Sequence, residues 1–343
     1  MLMYVREIGE FALIARLAEQ IALAAPSPPR TSSAPSNLLV NIGDDTAAWT
    51  SSGKTELLTT DTVVQGVHFT SETSTWQTVG WKALTSNLSD IASMGGLPTY
   101  AVVTLGLPRD TLVLDVENLY VGLLEAANTF GVTIIGGDIV ASPVFFITIA
   151  QTGVTEHTPM LRSKACLGDL IATTGKLGGS AAGLAILLGE MATNNGDSQP
   201  LIEKHQKPRP RIQEGQFLVK AGVTCATDIS DGLLTNLRTI CDSSGYAAQV
   251  ETTLVPINLE VLNIFPEAAL SMAVNGGEEY ELLFTAAPDI MTTLQNQFAH
   301  EFSIIGTIIA KPANDPTPGP IYLVDGNGKP VELIDTGWDH FRR

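Results

Sequence analysis

The chain has 343 residues, 44% hydrophobic and 16% charged, the make-up of a folded globular protein long enough for two domains. Its net charge of −17 speaks against nucleic acid or an anionic membrane surface as partner, since both need basic patches. Cys166, Cys225 and Cys241 form no C-x-x-C pair, which argues for a reducing compartment and against a disulfide framework or zinc site.

Arg6, Glu7, Glu10, Arg16 and Glu19 interrupt the first apolar stretch, and no run is long enough to span a bilayer, so a cytoplasmic location is expected. In chain order, Phe11, Ile14, Ala18 and Ile21 have helical spacing over 9–24. A Pro/Ser loop over 26–37 precedes a strand at Leu38–Ile42, which ends in Gly43-Asp44-Asp45. A second strand over 56–61 ends in Thr59-Thr60-Asp61, and Gly66-Val67-His68-Phe69 follows. Trp76–Met94 reads as a helix with Asn87 and Asp90 on one face, and with Trp76 and Trp81 as packing residues. Lys82 on it reads as half of a structural ion pair.

Then come a strand at 100–107, a helix at 112–130, a strand over 132–135 ending in Gly136-Gly137-Asp138, and a strand at 144–152. The pattern restarts near 155–165, which places the boundary between domains 1–155 and 156–343. The strand at 169–174 leads through Gly175-Lys176-Leu177-Gly178-Gly179-Ser180 into a helix, yet the G-x-x-x-x-G-K-[ST] order of a P-loop is absent and close packing is the better reading. Residues 191–208 read as a loop and 211–221 as a helix. Asp228-Ile229-Ser230-Asp231-Gly232 opens a helix to 242, and strands are expected at 247–251, 279–285, 303–309 and 321–324. His157, His205, His300 and His340 read as loop or helix-surface residues. The fold class is mixed α/β.

Four motifs share one grammar, an apolar segment ending in Gly or Ser and then Asp: Gly43-Asp44-Asp45, Ser89-Asp90, Gly136-Gly137-Asp138 and Ser230-Asp231-Gly232. Each alone is ordinary turn chemistry. A converging set of carboxylates persists only with cations among them, and all-oxygen donors favour Mg²⁺ or Ca²⁺ over zinc. No EF-hand loop is present, so several Mg²⁺ ions bridging a polyphosphate fit, in an ATP-using enzyme without a Walker loop.

Together with Gly9-Glu10-Phe11, Lys82-Ala83-Leu84, Gly276-Gly277-Glu278, Tyr280-Glu281-Leu282 and Gly337-Trp338-Asp339-His340-Phe341, these motifs resemble the thiamine-monophosphate kinases of the aminoimidazole-ribonucleotide-synthetase superfamily. The resemblance runs from residue 9 to the C-terminal motif. It implies two α/β domains, the N-terminal mixed sheet pairing in a homodimer and the C-terminal domain completing the active site. It also implies ATP-dependent conversion of thiamine monophosphate to thiamine diphosphate by direct in-line transfer.

Position by position, the implied metal ligands are Asp45, Thr59, Thr60, Asp61, Asp90, Asp138, Asp228 and Asp231. Of these, Asp61, Asp138 and Asp231 bear most directly on the reaction. The implied ATP contacts are Gly137, Asp138, Arg162 and Ser230, and the thiamine-phosphate contacts are His68, Glu278 and Trp338. Two departures stand out: Glu279 replaces the family's Asp, and the loop at 26–37 is long. Rival expectations are a selenophosphate-synthetase-like or hydrogenase-maturation-like enzyme, which lose ground because the first cysteine is Cys166 and the last residue Arg343, and a non-catalytic binding module.

Overall fold

A computed structural model describes residues 55–189, 198–297, 302–317 and 319–333, the strands β1 (Leu38–Val40) and β2 (Ala48–Trp49), and single positions between 4 and 23. Asp44, Asp45, the loop at 26–37 and the motif around Trp338 lie outside the described residues. The chain forms two compact units, Met1–Ile91 with Leu97–Glu156, and Ala92–Gly96 with His157–Arg343.

The first unit is built on a four-stranded sheet in the order β3 (Thr55–Val64), β6 (Phe146–Thr155), β4 (Leu97–Leu107), β5 (Thr133–Ala141). β4 and β5 run parallel and the other pairs antiparallel. Strand alternation sends Leu57, Ile147, Ile149, Val103 and Leu105 to one buried face. Helix α1 (Trp76–Ser93) packs there, and α2 (Val113–Phe130) packs against α1. Nearly every side of α1 is buried, which explains the run of small and apolar residues along it. Trp81 stacks edge-on against Phe130, and Trp76 against Phe69 and Phe145. The opposite sheet face stays open, with Leu58 76% exposed and Val102 exposed beside Thr60 and Thr62.

The second unit carries a six-stranded sheet, β12-β9-β11-β7-β10-β8, antiparallel except for β12 against β9. These strands are β7 (Leu170–Thr174), β8 (Cys225–Asp228), β9 (Ala247–Glu251), β10 (Leu282–Ala286), β11 (Phe302–Ile309) and β12 (Ile321–Val324). Leu283 of β10 joins the core under α6 (Leu233–Ser244), together with Leu237 and Ile240. Its neighbours Leu282 and Phe284 join the core under α5 (Ile212–Lys220) and α9 (Pro288–Gln297). Both faces of the sheet are therefore covered, which is why β10 is apolar without alternation. A third cluster links α3 (Gly179–Leu187), α4 (Gln199–Gln206), α7 (Leu259–Ile264) and α8 (Ala269–Asn275).

The mixed α/β expectation holds, and three local readings change. The segment assigned to a loop over 191–208 contains helix α4. The strand expected from 279 begins at Leu282, because Glu278 and Tyr280 take left-handed φ of 58° and 52°. The strand expected to stop before Asp138 continues to Ala141. Among the described residues, no helix is long and apolar enough to cross a membrane.

Candidate active site

In the first unit the site grows from β3. Alternation points Thr59 and Asp61 toward α1 and sends Thr60 to the open face. The Thr59 hydroxyl donates to Asp90 Oδ2 at 2.5 Å, and Asp61 hydrogen-bonds the Ser86 side chain. Ser86 and Asp90 are four apart on α1, so one strand face meets one helix face. Asn87, three residues before Asp90 on the same helix, is fully buried and donates to the Ala83 carbonyl at 3.0 Å. Ser86 was missed from sequence, although its spacing from Asp90 carries the signal. Thr60 lies on the other side of the pleat, so only its backbone is available to whatever Asp61 binds.

Burial pushes the Asp61 carboxyl above its ordinary value. The Ser86 hydrogen bond opposes that push, and His68 opposes it further when protonated. After β3 the chain turns at Gly66, where φ is +81°, and His68 folds back so that its Nδ1 accepts from the Val64 amide at 3.0 Å. An accepting Nδ1 carries no proton, so the ring in this arrangement is neutral with its proton on Nε2.

Asp138 does not join Asp61 in this sheet. Its register partner is Thr104, which pairs with Thr148, which in turn pairs with Thr62 on the open face. Asp61 and Asp138 thus occupy opposite faces and opposite edge strands, three strand spacings or roughly 14 Å apart. Asp138 is exposed and accepts from the Ile139 amide at 2.9 Å. Gly137 has a packing reason of its own, since a Cβ there would sit 1.8 Å from the Val103 carbonyl oxygen. Among the described residues no three His, Cys, Asp or Glu side chains gather to hold a metal ion.

In the second unit, β8 delivers Asp228, buried at 2% exposure, and the chain then turns through Ile229-Ser230-Asp231 into α6. This turn is zipped to the Gly277–Leu282 motif by backbone bonds. Glu278 N donates to Ser230 O at 2.7 Å, Tyr280 N to Ile229 O at 3.0 Å, and Ile229 N to Glu281 O at 2.8 Å. The Asp231 amide donates to Asn236 at 3.0 Å, and Arg162 Nε donates to the Thr227 hydroxyl at 3.1 Å beside the same strand. Asp228, Ser230, Asp231, Arg162 and Glu278 are thus tied to one end of this unit's sheet.

Behind Glu278 lies a buried charge network that sequence reasoning did not find. Glu281 takes two bonds of 2.6 Å from Arg211, one of 2.9 Å from Lys204, and one of 2.8 Å from the Thr174 hydroxyl. Burial pushes the Glu281 carboxyl up, yet the two cations outweigh it and hold the group below its ordinary value. Glu279 accepts from the Ser180 amide at 3.0 Å and stays 3.5 Å from Lys204. Burial wins there and its carboxyl is raised. Glu279, the departure from the family pattern, therefore serves the Gly175–Ser180 turn and sits inside the unit. His205, expected in a loop or on a helix surface, is 2% exposed.

Two family models match the chain, the AIR synthase related protein N-terminal domain over 43–155 and the C-terminal domain over 167–317. The class is therefore that of the AIR synthase related proteins. The Haemophilus influenzae thiamine-monophosphate kinase is 35% identical over 98% of this chain and 98% of its own, and that of Escherichia coli K12 is 34% identical over 97% and 98%. The crystal structure of thiamine-monophosphate kinase from Stenotrophomonas maltophilia is 30% identical, with a TM-score of 0.76 over 96% of this chain and 99% of that one. AaThiL complexed with AMPPCP and TMP is 31% identical, with a TM-score of 0.73 over 99% of both chains. A hydrogenase maturation protein HypE in complex with ATP, 19% identical with a TM-score of 0.66 over 84% of this chain and 87% of its own, shares the fold alone. The chain belongs to the thiamine-monophosphate kinase family.

Proposed function

We propose that this protein transfers the γ-phosphoryl group of ATP to thiamine monophosphate, giving ADP and thiamine diphosphate. The observation that carries the reading is the docking of Thr59 and Asp61 on Ser86 and Asp90, in a chain of this family. The donors are hydroxyl and carboxylate oxygens on a half-buried strand face, a set of hard ligands that fits Mg²⁺. Several ions are proposed: Thr59, Asp61 and Asp90, with the Thr60 backbone, would hold one in the first unit, while Asp138 on the open face, Asp45 before β3, and Asp228 and Asp231 in the second unit would serve others. When bound, Mg²⁺ neutralises the polyphosphate.

The acceptor brings its own nucleophile. A phosphate oxygen of thiamine monophosphate attacks the γ-phosphorus, the bond to the bridging oxygen breaks, and ADP leaves in line. The chain needs to position and to balance charge. Arg162 offers a guanidinium fork to ATP phosphate oxygens, and Gly137 and Ser230 offer backbone and hydroxyl contacts. His68 presents Nε2–H to the acceptor phosphate, while Glu278 and Trp338 take the cationic heteroaromatic part. Among the proposed ligands, Asp61, Asp138 and Asp231 are those whose loss should cost the most turnover.

A homodimer is part of this reading, formed through the open face of the four-stranded sheet, where Leu58 and Val102 lie exposed. The test is a coupled assay for ADP with product analysis. ATP, thiamine monophosphate and Mg²⁺ should give equal amounts of ADP and thiamine diphosphate, and EDTA should stop both. ADP without thiamine diphosphate would defeat the reading.

A further inference from the structure

We infer that His205 is a positioning residue for Glu278, and that helix α4 exists to hold the acceptor-recognition motif in its working shape. The inference rests on the proposed reading of Glu278 as an acceptor contact. The His205 ring is buried, and its Nδ1 stands 3.1 Å from the Ser180 hydroxyl and 3.4 Å from Glu278 Oε2. Lys204, the preceding residue, reaches the other way to Glu281 at 2.9 Å, to Glu279 at 3.5 Å and to the Lys176 carbonyl at 3.1 Å. Two adjacent residues of one short helix therefore hold three acidic residues of Gly277-Glu278-Glu279-Tyr280-Glu281.

The motif needs such holding. Glu278 and Tyr280 both have left-handed backbone, which a non-glycine residue keeps only when its surroundings over-determine it. The Glu278 amide is fixed on Ser230, and the side chain, 28% exposed, is steered from behind by His205. α4 is itself seated without slack on α3. A Cβ on Gly183 would lie 2.1 Å from the Leu201 carbonyl oxygen and 3.0 Å from the His205 Cβ, so glycine there sets how close the ring comes. From one side of the ring, Nδ1 meets both the Ser180 hydroxyl and Glu278 Oε2 and so holds that carboxylate in one rotamer. An oriented anion is what recognition of a cationic heteroaromatic ring calls for, so His205 governs acceptor affinity without touching the acceptor.

The test is steady-state kinetics of the full chain, with ATP and thiamine monophosphate varied separately, for His205→Ala, His205→Asn and Glu278→Gln. His205→Ala should raise the KM for thiamine monophosphate about tenfold or more, with the KM for ATP unchanged within twofold and kcat reduced less than threefold. His205→Asn, whose amide can stand in for Nδ1–H, should recover most of that loss. In the Glu278→Gln background, His205→Ala should add little, because both act through one contact. A fall in kcat with both KM values unchanged, or effects that multiply independently, would overturn the positioning role. Should His205→Ala fail to fold, His205→Gln, whose amide nitrogen lies at the Nε2 position and not at Nδ1, takes its place in both arms and should show the same raised acceptor KM. The wild-type assay separately tests the reaction: no thiamine diphosphate from the wild type refutes the proposed function, whereas a wild-type kinase with an unaltered His205→Ala acceptor KM refutes only this inference.

Discussion

At the scale of single residues, Asp61 is distinguished by its surroundings. It is a strand carboxylate raised by burial, with one hydroxyl partner on α1 and a histidine nearby. Asp61→Asn keeps the shape and the Ser86 bond but removes the charge that would meet a cation. Turnover should fall by at least about a hundredfold with the melting temperature nearly unchanged, measured by ADP release and calorimetry. Unchanged turnover would remove Asp61 from the machinery. Glu281 offers the opposite pattern. Glu281→Gln strips a buried counter-charge from Arg211 and Lys204 and should cost about 3 kcal/mol in chemical denaturation. That figure is at the low end because Arg211 remains 30% exposed and water reaches it.

Glu279 titrates in the opposite sense from Glu281. Its folded-state pKa lies above the unfolded value of an ordinary glutamate, so its contribution to stability is complete below that unfolded value. The contribution is lost as pH rises toward the raised folded value. Glu279→Gln mimics the protonated form and should remove that decline. The variant should match the wild type near pH 4 and melt higher at neutral pH, and a variant that melts lower at neutral pH would show that the Lys204 attraction outweighs burial.

At the scale of elements, the strands were the most legible part of the chain. Ile321–Val324 and Ala247–Glu251 lie where their β-branched and apolar composition places them, because burial selects those side chains directly. The helix at 199–206 was hidden because it turns a leucine and a histidine inward and otherwise shows charge. Beside the core contact of Leu201, it is held by pairing with Glu279 and Glu281, about 75 residues later in sequence, which no local pattern reports. The same cause kept the charge network from view. The alternation of β3 was legible in principle, yet reading Thr59, Thr60 and Asp61 as a block concealed that Thr60 faces the other way. The register that separates Asp61 from Asp138 comes from strand order, and strand order lies beyond local sequence.

At the scale of the whole molecule, the proposed dimer rests on the open sheet face. Leu58→Asp puts a charge on the open face without touching the opposite face that holds Asp61. Sedimentation should show wild-type dimers and variant monomers at micromolar concentration. A variant that stays dimeric would move the interface elsewhere.

The left-handed backbone at Glu278 has one more consequence. A glycine would take φ of 58° freely, so natural glutamate at this position is a standing conformational debt of about 1–3 kcal/mol. Glu278→Gly should therefore melt no lower than the wild type, even after the added freedom of the unfolded chain is counted, while its KM for thiamine monophosphate rises steeply. Robustness and recognition pull against each other at this residue, and a search for heat-resistant variants of this chain would be drawn first to the substitution that disables it.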